Sequence, residues 1–155
     1  MDASVTSGKL LLIEDNYGDQ ILFQEILKKT AFKISDLLVA DSIQRGLEHL
    51  KTENVSIILL ASNMPDSLGL EGLKLINKHF RYVPVIMLAD SNNNEMALEA
   101  IKSGAEDYLI KRTYSEQQLE KSINFAYERN RNKELVRRNQ VYFQTLSENS
   151  SDLTI

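Results

Sequence analysis

The sequence predicts an α/β fold: one doubly wound sheet of five parallel strands with helices on both faces. Two observations predict it. The runs Lys9–Ile13, Asp36–Ala40, Val55–Leu60, Val85–Leu88 and Tyr108–Ile110 are short and apolar without alternation, as parallel strands buried on both faces are. Segments of helical periodicity separate them, and strand–helix alternation builds βαβ units.

The first helical segment, Asp19–Thr30, places Leu22, Ile26 and Lys29 on one face, with Ile21 and Phe23 beside it. In the second, Ser42–Lys51, Ile43, Leu47 and Leu50 repeat at helical spacing behind Ser42 as N-cap. The third spans Leu70–Phe80. The fourth, Asn93–Ser103, aligns Met96, Ala97, Ala100 and Ile101, with Gly104 as its stop. A last helix starts after Thr113-Tyr114-Ser115 and packs Leu119, Ile123 and Ala126 on the sheet. Right-handed crossovers restrict the topology, and the flavodoxin-like strand order 2-1-3-4-5 is one of two common solutions. That order brings the ends of the first, third and fourth strands together: Glu14-Asp15, Ala61 and Ala89.

The 155 residues, 43% hydrophobic, suffice for one well-cored domain. Residues 1–8 read as a flexible polar arm without a signal-peptide core. No apolar run nears the roughly 18 residues of a membrane span. Cysteine is absent, so disulfides and thiolate metal sites are excluded, which is compatible with the cytoplasm. Net charge is −4; residues 1–127 carry 13 Lys+Arg against 18 Asp+Glu. An acidic domain lacks the basic surface that nucleic acid requires. The basic cluster Arg129, Arg131, Lys133, Arg137 and Arg138 reads as a solvated helical face. His49 and His79 read as surface histidines.

Two adjacent carboxylates, Glu14 and Asp15, end a buried strand, which is costly without a cation or donors. Mg²⁺ suits them, since it takes oxygen ligands. The other reading is a turn at Asp15 and Asn16, with Asp19 capping the next helix. No glycine-rich phosphate loop follows the strand, since Glu14–Asp19 is acidic with one glycine. That counts against a small flavodoxin-like nucleotide-binding enzyme.

Several stretches, in order over residues 9–127, carry a resemblance. They are Glu14-Asp15; Ser56–Ala61 running into Asn63-Met64-Pro65-Asp66 and Gly69; Pro84-Val85-Ile86-Met87-Leu88; and Gly104-Ala105-Glu106-Asp107-Tyr108-Leu109-Ile110-Lys111. Together they resemble the receiver domain of two-component response regulators. The resemblance implies Asp15 as main Mg²⁺ ligand, Glu14 as its partner through water and the backbone carbonyl of Asn63 on the same ion. It also implies Lys111 as the cation of the phosphate pocket and Tyr108 as an aromatic switch. Three positions depart from the pattern. Ala61 stands where the family has the phosphoacceptor Asp, Ala89 where it has Thr or Ser, and Arg112 where it has Pro, so the family's cis peptide is not expected there. A methyl group has no lone pair with which to attack phosphorus, and a carboxylate is lost from the metal site. The expectation is a degenerate receiver: no enzyme, weak Mg²⁺ at most, acting as a docking module with other signalling domains or a histidine kinase. The alternative is phosphorylation at Ser62, Asp66 or Asp90.

Residues 128–155 read as a helical linker. Leu135, Asn139, Tyr142 and Leu146 have heptad-like spacing, which suits either a homodimer through the C-terminal helix or a solvated extension. Tyr142–Leu153 resembles the entry of a PAS domain, which would make the chain the N-terminal receiver of a longer receiver–PAS protein.

Overall fold

The computed structural model describes residues 8–67 and 70–130. The expectations on the N-terminal arm (residues 1–7), Gly69, the heptad-like spacing and the PAS-like tail lie outside those residues. Five parallel strands form one sheet in the order β2-β1-β3-β4-β5. They are β1 (Lys9–Ile13), β2 (Leu37–Ala40), β3 (Val55–Ala61), β4 (Val85–Ala89) and β5 (Asp107–Ile110). The helices are α1 (Tyr17–Leu27), α2 (Ile43–Thr52), α3 (Glu71–His79) and α4 (Asn94–Lys102), followed by α5 over residues 116–130.

Side chains alternate across a strand, and this divides the core in two. Leu11, Ile13, Ile58, Leu60 and Met87 pack with Ile43 and Leu50 of α2, Leu73 and Ile76 of α3 and Ala100 of α4. Leu10, Leu12, Ile57, Leu59, Ile86 and Leu88 pack with Phe23 and Leu27 of α1 and with Leu119, Ile123 and Ala126 of α5. Register is set by the apolar runs: Leu12 pairs with Val39 on one side and Leu59 on the other.

Most boundaries fall within a residue or two of the sequence reading. Ser42 caps α2, its Oγ accepting the Arg45 N–H at 3.1 Å. Ser115 caps α5, accepting the Gln118 N–H at 3.2 Å, while Gln118 Oε1 accepts the Ser115 N–H at 2.9 Å, a reciprocal capping box. Gly104 ends α4 at φ 110°, with its N–H donating to Ile101 O and the Ala105 N–H to Ala100 O. This double closure needs a left-handed residue, and a Cβ there would collide with the Asn77 side-chain amide.

Four expectations are corrected. α1 begins at Tyr17, not Asp19: Asn16 Oδ1 accepts the Asp19 N–H at 2.9 Å, which places Asp19 in the first turn. Asn precedes Asp in the loop and reaches the free amide first. The buried stripe of α1 is Phe23 and Leu27, while Leu22 and Ile21 are 47% and 37% exposed. The helix is rotated by about one residue so that the larger ring fills the core. On α4, Ala100 is buried and Ile101 is 48% exposed. A single small residue lets this helix approach closely at the sheet's edge, and little else of it is covered. Gly8 also leaves the arm, since its N–H donates to Ser56 Oγ at 3.0 Å.

α5 is fastened to the sheet beyond its apolar face. Ser122 Oγ donates to Asp107 Oδ2 at 2.5 Å, and Arg129 pairs with Glu106 at 3.4 Å. The Asn130 amide donates to the Tyr82 carbonyl.

Candidate functional site

Strand order decides where charge collects. β1, β3, β4 and β5 end side by side, so Glu14, Ala61, Ala89 and Lys111 meet at one rim. Glu14, the residue after β1, is 2% exposed and Lys111, the residue after β5, is 8% exposed. Neither charge is tolerable there without partners. Lys111 Nζ lies 2.6 Å from Glu14 Oε1, 3.3 Å from Asp19 Oδ2 and 3.4 Å from Asp90 Oδ1. The second Glu14 oxygen accepts the Asn16 N–H at 3.1 Å. The Arg112 guanidinium lies 2.5 Å from Asp19 and 4.0 Å from Asp90, and the Asn63 amide donates to Asp90 Oδ2 at 3.0 Å.

The titration behaviour follows. Burial pushes the Glu14 carboxyl above its ordinary value, with the Lys111 ammonium and the Asn16 N–H pulling it part of the way back. Burial works against the Lys111 ammonium, but the carboxylates of Glu14, Asp90 and Asp19 outweigh it, so Lys111 titrates above an ordinary lysine. Burial acts upward on Asp90, yet Asn63, Lys111 and Arg112 hold it below the usual carboxylate range.

Of the residues singled out in the sequence, Glu14, Lys111, Ala61 and Ala89 converge on this rim. The two alanines are each 2% exposed and offer only methyl groups. Asp15 is exposed at the edge. The side chain of Asn63, expected to contribute only its backbone carbonyl, holds Asp90. Tyr108 is half-buried against the core of the α2–α4 side, and its hydroxyl titrates high because of burial. Of the alternative acceptors, Asp66 faces away. Burial acts upward on its carboxyl, but the N–H groups of Ile43 and Gln44, each donating to one of its oxygens at 3.0 Å, together hold it below its ordinary value. The carboxylate thus caps α2 from the loop after β3. Ser62 is 6% exposed.

Two participants were missed in the sequence. Asp19 read as a helix cap and Arg112 only as a lost proline. The available signal was the spacing, which sets an acid one turn into α1 above the Glu14 strand end and a second cation directly after Lys111.

A cavity of about 190 Å³ lies beneath the charged cluster, walled by Leu12, Phe23, Ile26, Leu88 and Tyr114. Burial, with the nearby Asp19 and Glu14 carboxylates, pushes the Tyr114 hydroxyl up to about 12. Among the described residues no group of three or more His, Asp or Glu is arranged to hold a metal ion, and no helix is long and apolar enough to cross a membrane.

Residues 10–124 match the response regulator receiver domain family. A two-component response regulator of rice, ORR5, is 31% identical over 105 residues, covering 66% of this chain and 76% of its own length. The two-component response regulator-like APRR9 of Arabidopsis thaliana is 31% identical over 108 residues, again 66% of this chain, but the match spans only 22% of that relative. Among solved structures, a response regulator receiver domain protein from Clostridium thermocellum superposes with a TM-score of 0.69 at 26% identity, covering 79% of this chain and 96% of the other. The Francisella response regulator 1452 receiver domain gives 0.68 at 27% identity, covering 79% and 98%.

Proposed function

Because this chain belongs to the response regulator receiver domain family, we propose that it serves two-component signalling as a phosphorylation-independent regulatory or docking module, without catalytic activity of its own. The observation that carries the reading is Ala61. It ends β3 at the rim where Glu14 and Lys111 meet, and it supplies no nucleophile. Support also comes from the three alternative acceptors. Asp66 has both oxygens on the N-terminus of α2, Asp90 is held by Asn63 and the two cations, and Ser62 is buried. Asp90 does bring an oxygen to 3.4 Å from the Lys111 ammonium, but that carboxylate is already committed to Asn63 and Arg112, whereas a phosphoacceptor must be free to attack in line. The reading as a nucleotide-binding enzyme has less support. The cavity's 190 Å³ is below the roughly 300 Å³ at which ligand pockets begin, and the loop after β1 is acidic.

Incubation of the full chain with Mg²⁺ and acetyl phosphate is expected to leave the intact mass unchanged. A stoichiometric gain of one phosphoryl group would overturn the proposal, and mapping it to Ser62, Asp66 or Asp90 would favour the alternative.

The partners this reading implies are other signalling domains or a histidine kinase, met in the cytoplasm, and not nucleic acid or membrane. A second copy, pairing through the C-terminal helix, is the other partner proposed. Sedimentation of the chain against a version ending at Glu128 tests it: the longer chain is expected to dimerise with concentration, and identical behaviour removes the dimer. Mg²⁺ would be held weakly, at about millimolar concentration or worse, by Glu14, Asp15 and the Asn63 carbonyl, since Glu14 is already committed to Lys111.

A further inference from the structure

We propose that Arg112 is a built-in counter-cation: its guanidinium, seated beside Lys111, fills the acidic site and competes with divalent metal for it, leaving only weak binding. The inference rests on reading the domain as phosphorylation-independent and names what occupies the site instead. In an extended strand neighbouring side chains point to opposite faces. Here the backbone at Arg112 turns to φ 67°, in the left-handed region that a long side chain seldom adopts. The turn lets residues 111 and 112 converge on the same carboxylates. Lys111 reaches Glu14, Asp19 and Asp90, and Arg112 comes from above to Asp19 and Asp90. Asp19 stands on α1 and Asp90 follows β4, so the guanidinium bridges the two walls of the site.

Three carboxylates against two cations leave the cluster with a net charge of −1. Mg²⁺ demands near-octahedral oxygen ligands at about 2.0–2.1 Å. Glu14, Asp19 and Asp90 each already face at least one cation, and Asp15 alone stands outside the cluster. The residues present therefore do not fit a resident metal: an ion entering would have to displace the guanidinium and share the site with Lys111. Removing Arg112 alone leaves a net charge of −2 and frees Asp19 and Asp90 on one side.

The test is calorimetric titration of the full chain with MgCl₂, repeated with MnCl₂, at constant ionic strength. The variants are Arg112→Gly and Arg112→Asn, which both suit the left-handed backbone, and Arg112→Lys, which keeps the charge. Loss of the cation is expected to tighten binding by about tenfold or more in both neutral variants, as removal of a unit charge several ångströms from a divalent ion should. Arg112→Lys is expected to bind as weakly as the parent. The proposal is overturned if the neutral variants titrate like the parent, if Arg112→Lys tightens as much as they do, or if the parent itself binds at micromolar concentration. A phosphoryl gain in the mass experiment would sink the functional reading while leaving this comparison of affinities in place.

Discussion

Replacing Lys111 with Met lowers the unfolding free energy by about 3–5 kcal/mol at neutral pH, as loss of one partner of a buried ion pair does. Glu14 is 2% exposed and its nearest cation is the Lys111 ammonium at 2.6 Å. Without it the carboxylate is desolvated with only the Asn16 N–H to hold it. The carboxyl already titrates above 4.5, and in the variant it rises further. A group whose folded pKa is raised contributes stability that is complete below its unfolded pKa and is lost as pH rises through the folded one. The deficit of the variant is therefore largest at pH 7 and shrinks towards about pH 5 as Glu14 takes a proton. Asp66 and Asp90 act in the opposite sense. Their pKa values are depressed below 3.8, so their contributions are present above that value and fall away only below it. The elevated pKa of Lys111 keeps its own contribution intact until pH passes 10.5. Neither window overlaps the comparison. Urea denaturation at pH 7 and about pH 5 measures the difference, and adding Glu14→Gln to Lys111→Met recovers part of the loss. An equal loss at both pH values would mean that Glu14 is not the group left exposed to the cost.

Leu59→Ala is the second large effect, at about 3–4 kcal/mol, in the range of buried leucine truncations. Leu59 is fully buried in β3, between Leu12 of β1 and Ile86 of β4, and Phe23 and Ile123 belong to the same cluster. Strands on both sides hold the backbone, so the hole cannot collapse. Leu22→Ala, on the same side of the sheet but 47% exposed, is expected to cost under about 1 kcal/mol. Thermal unfolding should separate the two variants by about 10 °C. Similar midpoints would show that the core beneath α1 is looser than its burial indicates.

The strands and their order were legible because both-face burial leaves an unbroken apolar run and parallel connections allow few topologies. Ser42 and Gly104 were legible because capping chemistry is local. The rotation of α1 was not, because Leu22 and Phe23 are both strongly apolar and nothing local to the helix says which of them faces the sheet. The acidic rim was half legible. Glu14 and Lys111 stand at strand ends, which the topology brings together. Asp19 and Arg112 enter through a helix turn and a left-handed residue, and a linear pattern encodes neither. The cap that Asp66 places on α2 was illegible for the same reason: its oxygens serve amides 22 and 23 positions earlier in the chain.

The place of β1 has a consequence for synthesis. Lys9–Ile13 is the first of these five strands to leave the ribosome, yet it lies between β2 and β3. Its ladder to β2 can close once Ala40 exists, but its other edge stays bare until residues 55–60 have been made. For that interval four consecutive fully apolar residues, Leu10 to Ile13, present an unpaired strand edge to whatever else is nearby. The nascent chain is most prone to wrong pairing there, and the end of the risk is set by the arrival of Val55–Leu60, not by the completion of the domain.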